Sequence, residues 1–175
     1  MVDIKRRRYW LDAFHGKDWE PFIKMGPSVT GFRKRKEKVA RQVRPGDYFL
    51  CYLMGIHRFI GVTEALSECY LDDRPIFKTE VLPVRFKIKL VYELEPETAV
   101  PILELKDRLF LFAGVTDISA LATRIKGCPM EFEHGDGKII YQAIKDAVDN
   151  PVRRDIDQSR NRPSKAEHSE ASKGF

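Results

Sequence analysis

The sequence has few of the residues that staple or metallate a small domain. Its three cysteines, Cys51, Cys69 and Cys128, stand far apart and form no C-x-x-C pair, so neither a zinc site nor a disulfide framework is indicated. Cys51 falls inside an apolar run and reads as a small core residue. The four histidines, His15, His57, His134 and His168, share no helical or strand spacing suited to a metal, so no metal or cofactor is expected. No apolar run approaches the length of a membrane span, and no membrane partner is expected. The chain has no G-x-G-x-x-G or G-x-x-x-x-G-K-S/T phosphate loop and no regular strand–helix alternation, which argues against a doubly wound nucleotide fold. It has no G-x-S-x-G elbow and no cysteine in a nucleophile setting. Asp72 and Asp73 are neighbours in a loop, which does not define an acid/base pair. The basic Lys5-Arg6-Arg7-Arg8 is followed by Asp12 rather than the apolar core of a signal peptide, so a cytoplasmic location is expected.

What is present is basic, aromatic and rich in strands. With 175 residues, 43% of them hydrophobic and 33% charged, the chain is long enough for one globular domain and a tail. The net charge of +5 is unevenly spread. Residues 1–44 hold 13 Lys/Arg against 5 Asp/Glu, a net of +8, which leaves −3 for the other 131 residues. Such asymmetry points to a polyanionic partner at the N-terminal third.

The pattern predicts a strand over Tyr9–Phe14 and a helix over Lys17–Met25 with Trp19, Phe22 and Ile23 on one face. Val29–Phe32 reads as a short extended or loop segment. A second helix is predicted over Arg33–Val43, with a narrow stripe of Val39, Ala40 and Val43 and an otherwise basic face. Residues 45–92 are the most informative stretch. A turn at Arg44-Pro45-Gly46-Asp47 leads into an apolar strand, Tyr48–Met54, expected to be central and buried on both faces. Arg58–Ser67 is the next strand, with Gly61 inside it. From Val84 to Glu93 apolar and polar residues alternate with period two. Glu104–Phe112 is ambiguous between helix and strand. Asp117 is placed to cap a helix over Ile118–Ile125, Pro129–Phe132 reads as extended, and a last helix runs from Asp136 or Gly137 to about Asp149. Residues 151–175 read as a disordered polar tail and residues 1–8 as a basic N-terminal segment. Together these imply an α+β fold, a small bent mixed barrel with flanking helices.

Phe32 and Phe77 stand beside polar loops, where folding alone gives no reason for them. A nucleobase needs flat apolar faces and a few hydrogen bonds to its edge. Stacking is worth roughly 1–3 kcal/mol per base, and extruding a base from a duplex costs about the same. The surplus must come from phosphate contacts, which the basic segment after Phe32 can supply.

Tyr9-Trp10-Leu11, the Trp19 helix, Val29-Thr30-Gly31-Phe32-Arg33 and Arg44-Pro45-Gly46-Asp47 occur in the order seen in EVE domains. Ile60-Gly61-Val62-Thr63-Glu64, Tyr70-Leu71-Asp72-Asp73-Arg74-Pro75-Ile76-Phe77 and Leu82-Pro83-Val84-Arg85-Phe86 continue that order. Over residues 9–150 the chain thus resembles an EVE domain of the PUA-like superfamily, which is similar to YTH domains. The resemblance implies a PUA-like β-barrel and a pocket for a modified base, lined by Asp12, Phe14, Thr30, Gly31, Phe32 and Phe77. Thr30 and Phe77 occupy positions that are often tryptophan in the family, which leaves room for a base other than a methylated one.

The expectation is a non-catalytic reader of a modified, flipped base in DNA, possessing no cofactor and working with a nuclease or other effector in restriction or defence. Phe32 and Phe77 would stack on the base, Thr30 or Asp12 would read its edge, and Arg33, Lys34, Arg35 and Lys36 would hold phosphates. RNA binding is the alternative, since PUA relatives bind RNA. A further rival is an amidohydrolase acting on a modified nucleoside through Thr30, Lys34 and Glu64.

Overall fold

The computed structural model describes residues 6–76 and 80–156. The main strands are β1 (Tyr9–Phe14), β2 (Val29–Phe32), β3 (Tyr48–Leu53), β4 (Arg58–Ala65) and β6 (Val84–Glu93). They lie in the order β1-β3-β4-β6-β2. Two short strands, β5 (Tyr70–Leu71) and β7 (Val100–Pro101), pair with β6 and β4. The β1–β3 pair is parallel and the other pairs are antiparallel, so the sheet is mixed. Register shifts leave Ile60 of β4 unpaired opposite Cys51/Tyr52 and Val91 of β6 unpaired opposite Val62/Thr63; these bulges bend β4 and β6 and curl the sheet into a half-barrel. Helices α1 (Gly16–Lys24), α2 (Glu37–Ala40), α3 (Ile118–Arg124) and α4 (His134–Asp149) flank it, which gives the expected α+β architecture. No helix among the described residues is long and apolar enough to cross a membrane.

Inside the curl, Phe32, Phe49 and Phe86 pack with ring centroids 5.3 to 5.9 Å apart. As expected for a central strand, β3 is buried along nearly its whole length between β1 and β4. Trp19 of α1 is core: it meets Phe14 edge-on at 5.2 Å and lies against Gly61, where an added Cβ would sit 3.0 Å from the indole and 2.7 Å from the Tyr92 carbonyl. On the outer face Tyr141 of α4 stacks on Tyr48 at an interplanar angle of 7°.

The turn before β3 is an anchor. Gly46 takes a φ of +93°, and the buried Asp47 carboxylate accepts the Arg44 and Arg8 amides and the Trp10 indole N–H at 3.0 to 3.1 Å.

Several sequence expectations are corrected. The segment predicted as one helix over Arg33–Val43 is a 3-10 turn, Lys34–Lys36, followed by the single α-turn of α2. Neither piece has a side-chain N-cap, and in a continuous helix the like charges three and four residues apart, Arg33/Lys36, Arg35/Lys38 and Lys34/Lys38, would repel. Glu104–Phe112 is neither a helix nor a strand, but two 3-10 turns at Ile102–Glu104 and Phe110–Phe112 with a connection between them. Helix α4 starts two residues earlier than expected, because Glu133 rather than Asp136 is its cap. Asp136 is buried and accepts the Phe110 and Leu111 amides instead. In β6 the alternation fails at Arg85, whose buried guanidinium donates to the Leu82 and Arg74 carbonyls and faces Asp72. Residues 151–156, assigned to the tail, are bound to the domain: the Arg154 amide donates to the Glu97 carbonyl at 2.8 Å, and Arg58 donates to the Asp155 carbonyl at 2.9 Å. The Asp117 cap on α3 is formed as expected, by the Ala120 amide at 3.2 Å.

Candidate functional site

The terminal strands of the sheet, β1 and β2, have no ladder to each other. Residues 128–132 run along the free edge of β1: Leu11 N donates to the Met130 carbonyl at 2.8 Å, and Phe132 N donates to the Tyr9 carbonyl at 2.9 Å. At Ala13 the backbone acceptor gives way to the Cys128 sulfur, 3.3 Å from the amide. A cavity of about 290 Å³ opens here, in the seam between β1, β2 and the segment after α3. That lies near the lower end of ligand pockets.

Asp12, Phe14, Thr30, Gly31 and Phe32, the expected base-pocket residues within the described chain, all line this cavity. Phe77 lies outside the described residues. Asp12 and Thr30 join the two sides of the seam, with the Thr30 hydroxyl donating to Asp12 Oδ2 at 2.6 Å. Both are almost wholly buried, at 3% and 1% exposure. Burial pushes the Asp12 carboxyl from 3.8 up to about 7, and the Thr30 hydrogen bond pulls in the opposite direction. The Cys128 sulfur donates to the Leu11 carbonyl at 3.4 Å and lies 3.9 Å from Asp12 Oδ1. Burial, and then the Asp12 charge, raise the Cys128 thiol well above its usual range, so it is a neutral packing group and not a nucleophile.

Phe32 is only 3% exposed and its ring is engaged by Phe49 and Phe86. Phe14 is likewise held by Trp19 and Phe22. Too little of either ring is open to offer a full stacking face in this state. Stacking by Phe32, as expected from the sequence, is therefore corrected to a role in the apolar wall. Gly31 serves the chain path: a Cβ there would come within 2.8 Å of the Leu82 carbonyl and 3.1 Å of Ile76, so the glycine lets β2 pass close to the wall formed by Leu82.

Of the four expected phosphate-binding cations, Arg33, Arg35 and Lys36 line the cavity. Lys34 does not, and pairs with Glu37 at 2.5 Å. Arg33 is tied to Glu80 across the mouth at 2.7 Å. Lys36 reaches the segment after α3, with its ammonium 3.1 Å from where a Cβ on Gly127 would be. The sequence reading missed Ile125, Lys126, Gly127 and Cys128, and also Met54 and Leu82, all of which line the cavity. Lys126-Gly127-Cys128-Pro129 is legible as a turn, but nothing local tells that it seats against β1.

The residues of the amidohydrolase alternative are not brought together. Glu64 does not line the cavity and pairs with Lys89 at 3.0 Å and Arg7 at 3.7 Å, while Lys34 points its charge to Glu37. No group of three or more His, Cys, Asp and Glu among the described residues could hold a metal ion.

No family model matches the chain. It is 30% identical over 93 residues to a UPF0310 protein of Pyrococcus abyssi, a match that spans 46% of this chain and 64% of that protein. Over 153 residues it is 24% identical to a UPF0310 protein of Saccharolobus solfataricus, covering 81% of this chain and 98% of that protein. Among solved structures it is similar to a YTH domain-containing protein in complex with RNA, with a TM-score of 0.60 at 14% identity over 82% of this chain and 84% of that one. A YTH domain in complex with m6A matches with a TM-score of 0.56 at 15% identity, over 83% and 88% of the two chains. A hypothetical protein from Leishmania major matches at 0.59 and 18% identity, over 82% and 98%. At these identities the likeness establishes the fold: a curled, PUA-like α+β half-barrel of the kind found in YTH domains.

Proposed function

We propose that this chain is a non-catalytic reader of a modified nucleobase, an EVE-type module that takes a flipped base of DNA into the seam cavity. The observation that carries this reading is the make-up of the cavity. A buried polar floor of Asp12 and Thr30 sits beneath an apolar wall, with Arg33, Arg35, Lys36 and Lys126 around it. An extruded base has that profile: flat and apolar, polar along one edge, and attached to phosphates. A small neutral ligand would leave the cations without a task. The basic N-terminal third, at +8, supplies the longer-range attraction. A reader without its own chemistry needs an effector, and a nuclease acting in restriction or defence is the proposed partner, in the cytoplasm.

RNA is the second reading, favoured by one observation: the similar YTH domains include one solved with RNA and one with m6A. Binding of matched DNA and RNA oligonucleotides, each carrying one modified base from a panel, separates the two. The expected outcome is tighter binding of one modification than of the plain base, on DNA. Phe77→Ala should weaken the modified but not the plain oligonucleotide. Equal affinity for every base, unchanged by that substitution, would rule out base reading.

A further inference from the structure

The hydrogen-bond inventory of the cavity floor restricts which base edge it can take, given the reader function proposed above. The Thr30 hydroxyl has one proton, and it is already donated to Asp12 Oδ2. What Thr30 has left is lone pairs. The Cys128 sulfur points its weak donor at the Leu11 carbonyl. Asp12 Oδ2 is occupied by Thr30, while Oδ1 has only the Cys128 sulfur, 3.9 Å away. Oδ1 is therefore a nearly unpartnered oxygen of a buried carboxyl on the floor of a base-sized cavity. Leaving a buried carboxylate oxygen without a donor is costly, and a ligand N–H is what would relieve it.

We infer that Asp12 Oδ1 accepts a hydrogen bond from an N–H on the edge of the bound base, so that the cavity selects bases with an exocyclic amino or monoalkylamino donor and takes them with Asp12 ionised. A doubly alkylated amino group has no N–H and would leave Oδ1 bare. A ligand N–H on Oδ1 favours the ionised form, as the Thr30 hydroxyl already does on Oδ2. The cations Arg33, Arg35, Lys36 and Lys126 line the cavity, while Asp18 and Glu80 are the acids that share it, and Glu80 is already paired with Arg33. Cys51 on β3 and Cys128 beyond α3 flank Asp12 as neutral thiols. His15 also lines the cavity, and its replacement is the control.

In the free protein burial holds the Asp12 carboxyl largely neutral below about pH 7. A ligand that needs the carboxylate must displace that proton. Its affinity then rises with pH by up to about tenfold per unit and levels off above about pH 7.

The test is fluorescence anisotropy of the full chain between pH 5.5 and 8.5 at fixed ionic strength. The probes are oligonucleotides whose single target adenine or cytosine has zero, one or two methyl groups on its amino nitrogen. The expected result is affinity rising with pH for the unmethylated or monomethylated base, a loss of at least tenfold on dimethylation, and a flat profile for Asp12→Asn. His15→Gln should keep the slope. If Asp12→Asn does not fold, the wild-type profile and the dimethyl comparison decide. A flat or falling wild-type profile, or dimethylated bases bound as well as monomethylated ones, overturns the inference while leaving base reading intact. Absence of binding to every oligonucleotide at every pH overturns both.

Discussion

Asp12 is a carboxyl on an otherwise apolar strand, and its cost is set by its surroundings. Its folded value of about 7 lies above the ordinary 3.8. Between those two values the folded state holds a proton that the unfolded state has lost. Stability is therefore full below about pH 4, falls as pH rises through about 7, and is flat beyond. The drop is on the order of 4 kcal/mol. Urea denaturation at pH 5 and pH 8 should show about 3 kcal/mol of it, since part of the drop is already past at pH 5, and Asp12→Asn should remove the difference between the two. Thr30→Val deletes the hydroxyl that favours the charged form. It should cost about 1–3 kcal/mol, with the greater cost at pH 8, and a carboxyl titration followed by NMR should move further up.

At the scale of the element, the turn before β3 holds more than its four residues. Asp47 accepts two amides and the Trp10 indole N–H, so Asp47→Ala leaves three donors unpaired, two of which belong to β1 and the residue before it. A loss of about 3–5 kcal/mol is expected in denaturant unfolding, larger than for most surface aspartates. The segment from Arg33 to Val43 shows the opposite case. Its composition reads as a helix, yet a run of five cations in six positions has little apolar face to dock, and the chain settles into a 3-10 turn and one α-turn. That shorter form keeps Arg33, Arg35 and Lys36 at the cavity. Replacing Arg35 or Lys36 by alanine should weaken binding to modified and plain oligonucleotides alike, and reduce the slope of log affinity against log salt by about one per residue.

For the whole molecule, charge and topology converge. The positive third contributes β1, α1, β2 and the basic turn, and the cavity lies among these elements, closed by the segment after α3 together with Met54, Glu80 and Leu82. Binding should therefore fall steeply as salt rises, measured by titration at increasing ionic strength. A flat response would separate the basic face from the cavity's function.

The strands were legible because their signals are local. Apolar continuity marked β3, alternation marked most of β6, and Gly46 and Asp117 carried turn and cap chemistry that the fold uses as read. The aromatic and basic residues near the first two strands read as one candidate site, and the structure gathers Asp12, Phe14, Thr30, Gly31 and Phe32 about one cavity. Tertiary structure alone decided the rest. Arg85 is buried inside an alternating strand because the segment just before β6 folds back and offers it the Leu82 and Arg74 carbonyls. Phe32 is spent on the core because Phe49 and Phe86 reach it across the curl. Cys128 meets Ala13 and Asp12 across more than a hundred residues of chain, a contact that no local pattern encodes. A sequence states which side chains can donate, accept or stack. Which of them still have a hand free is determined only when the fold has assigned the others.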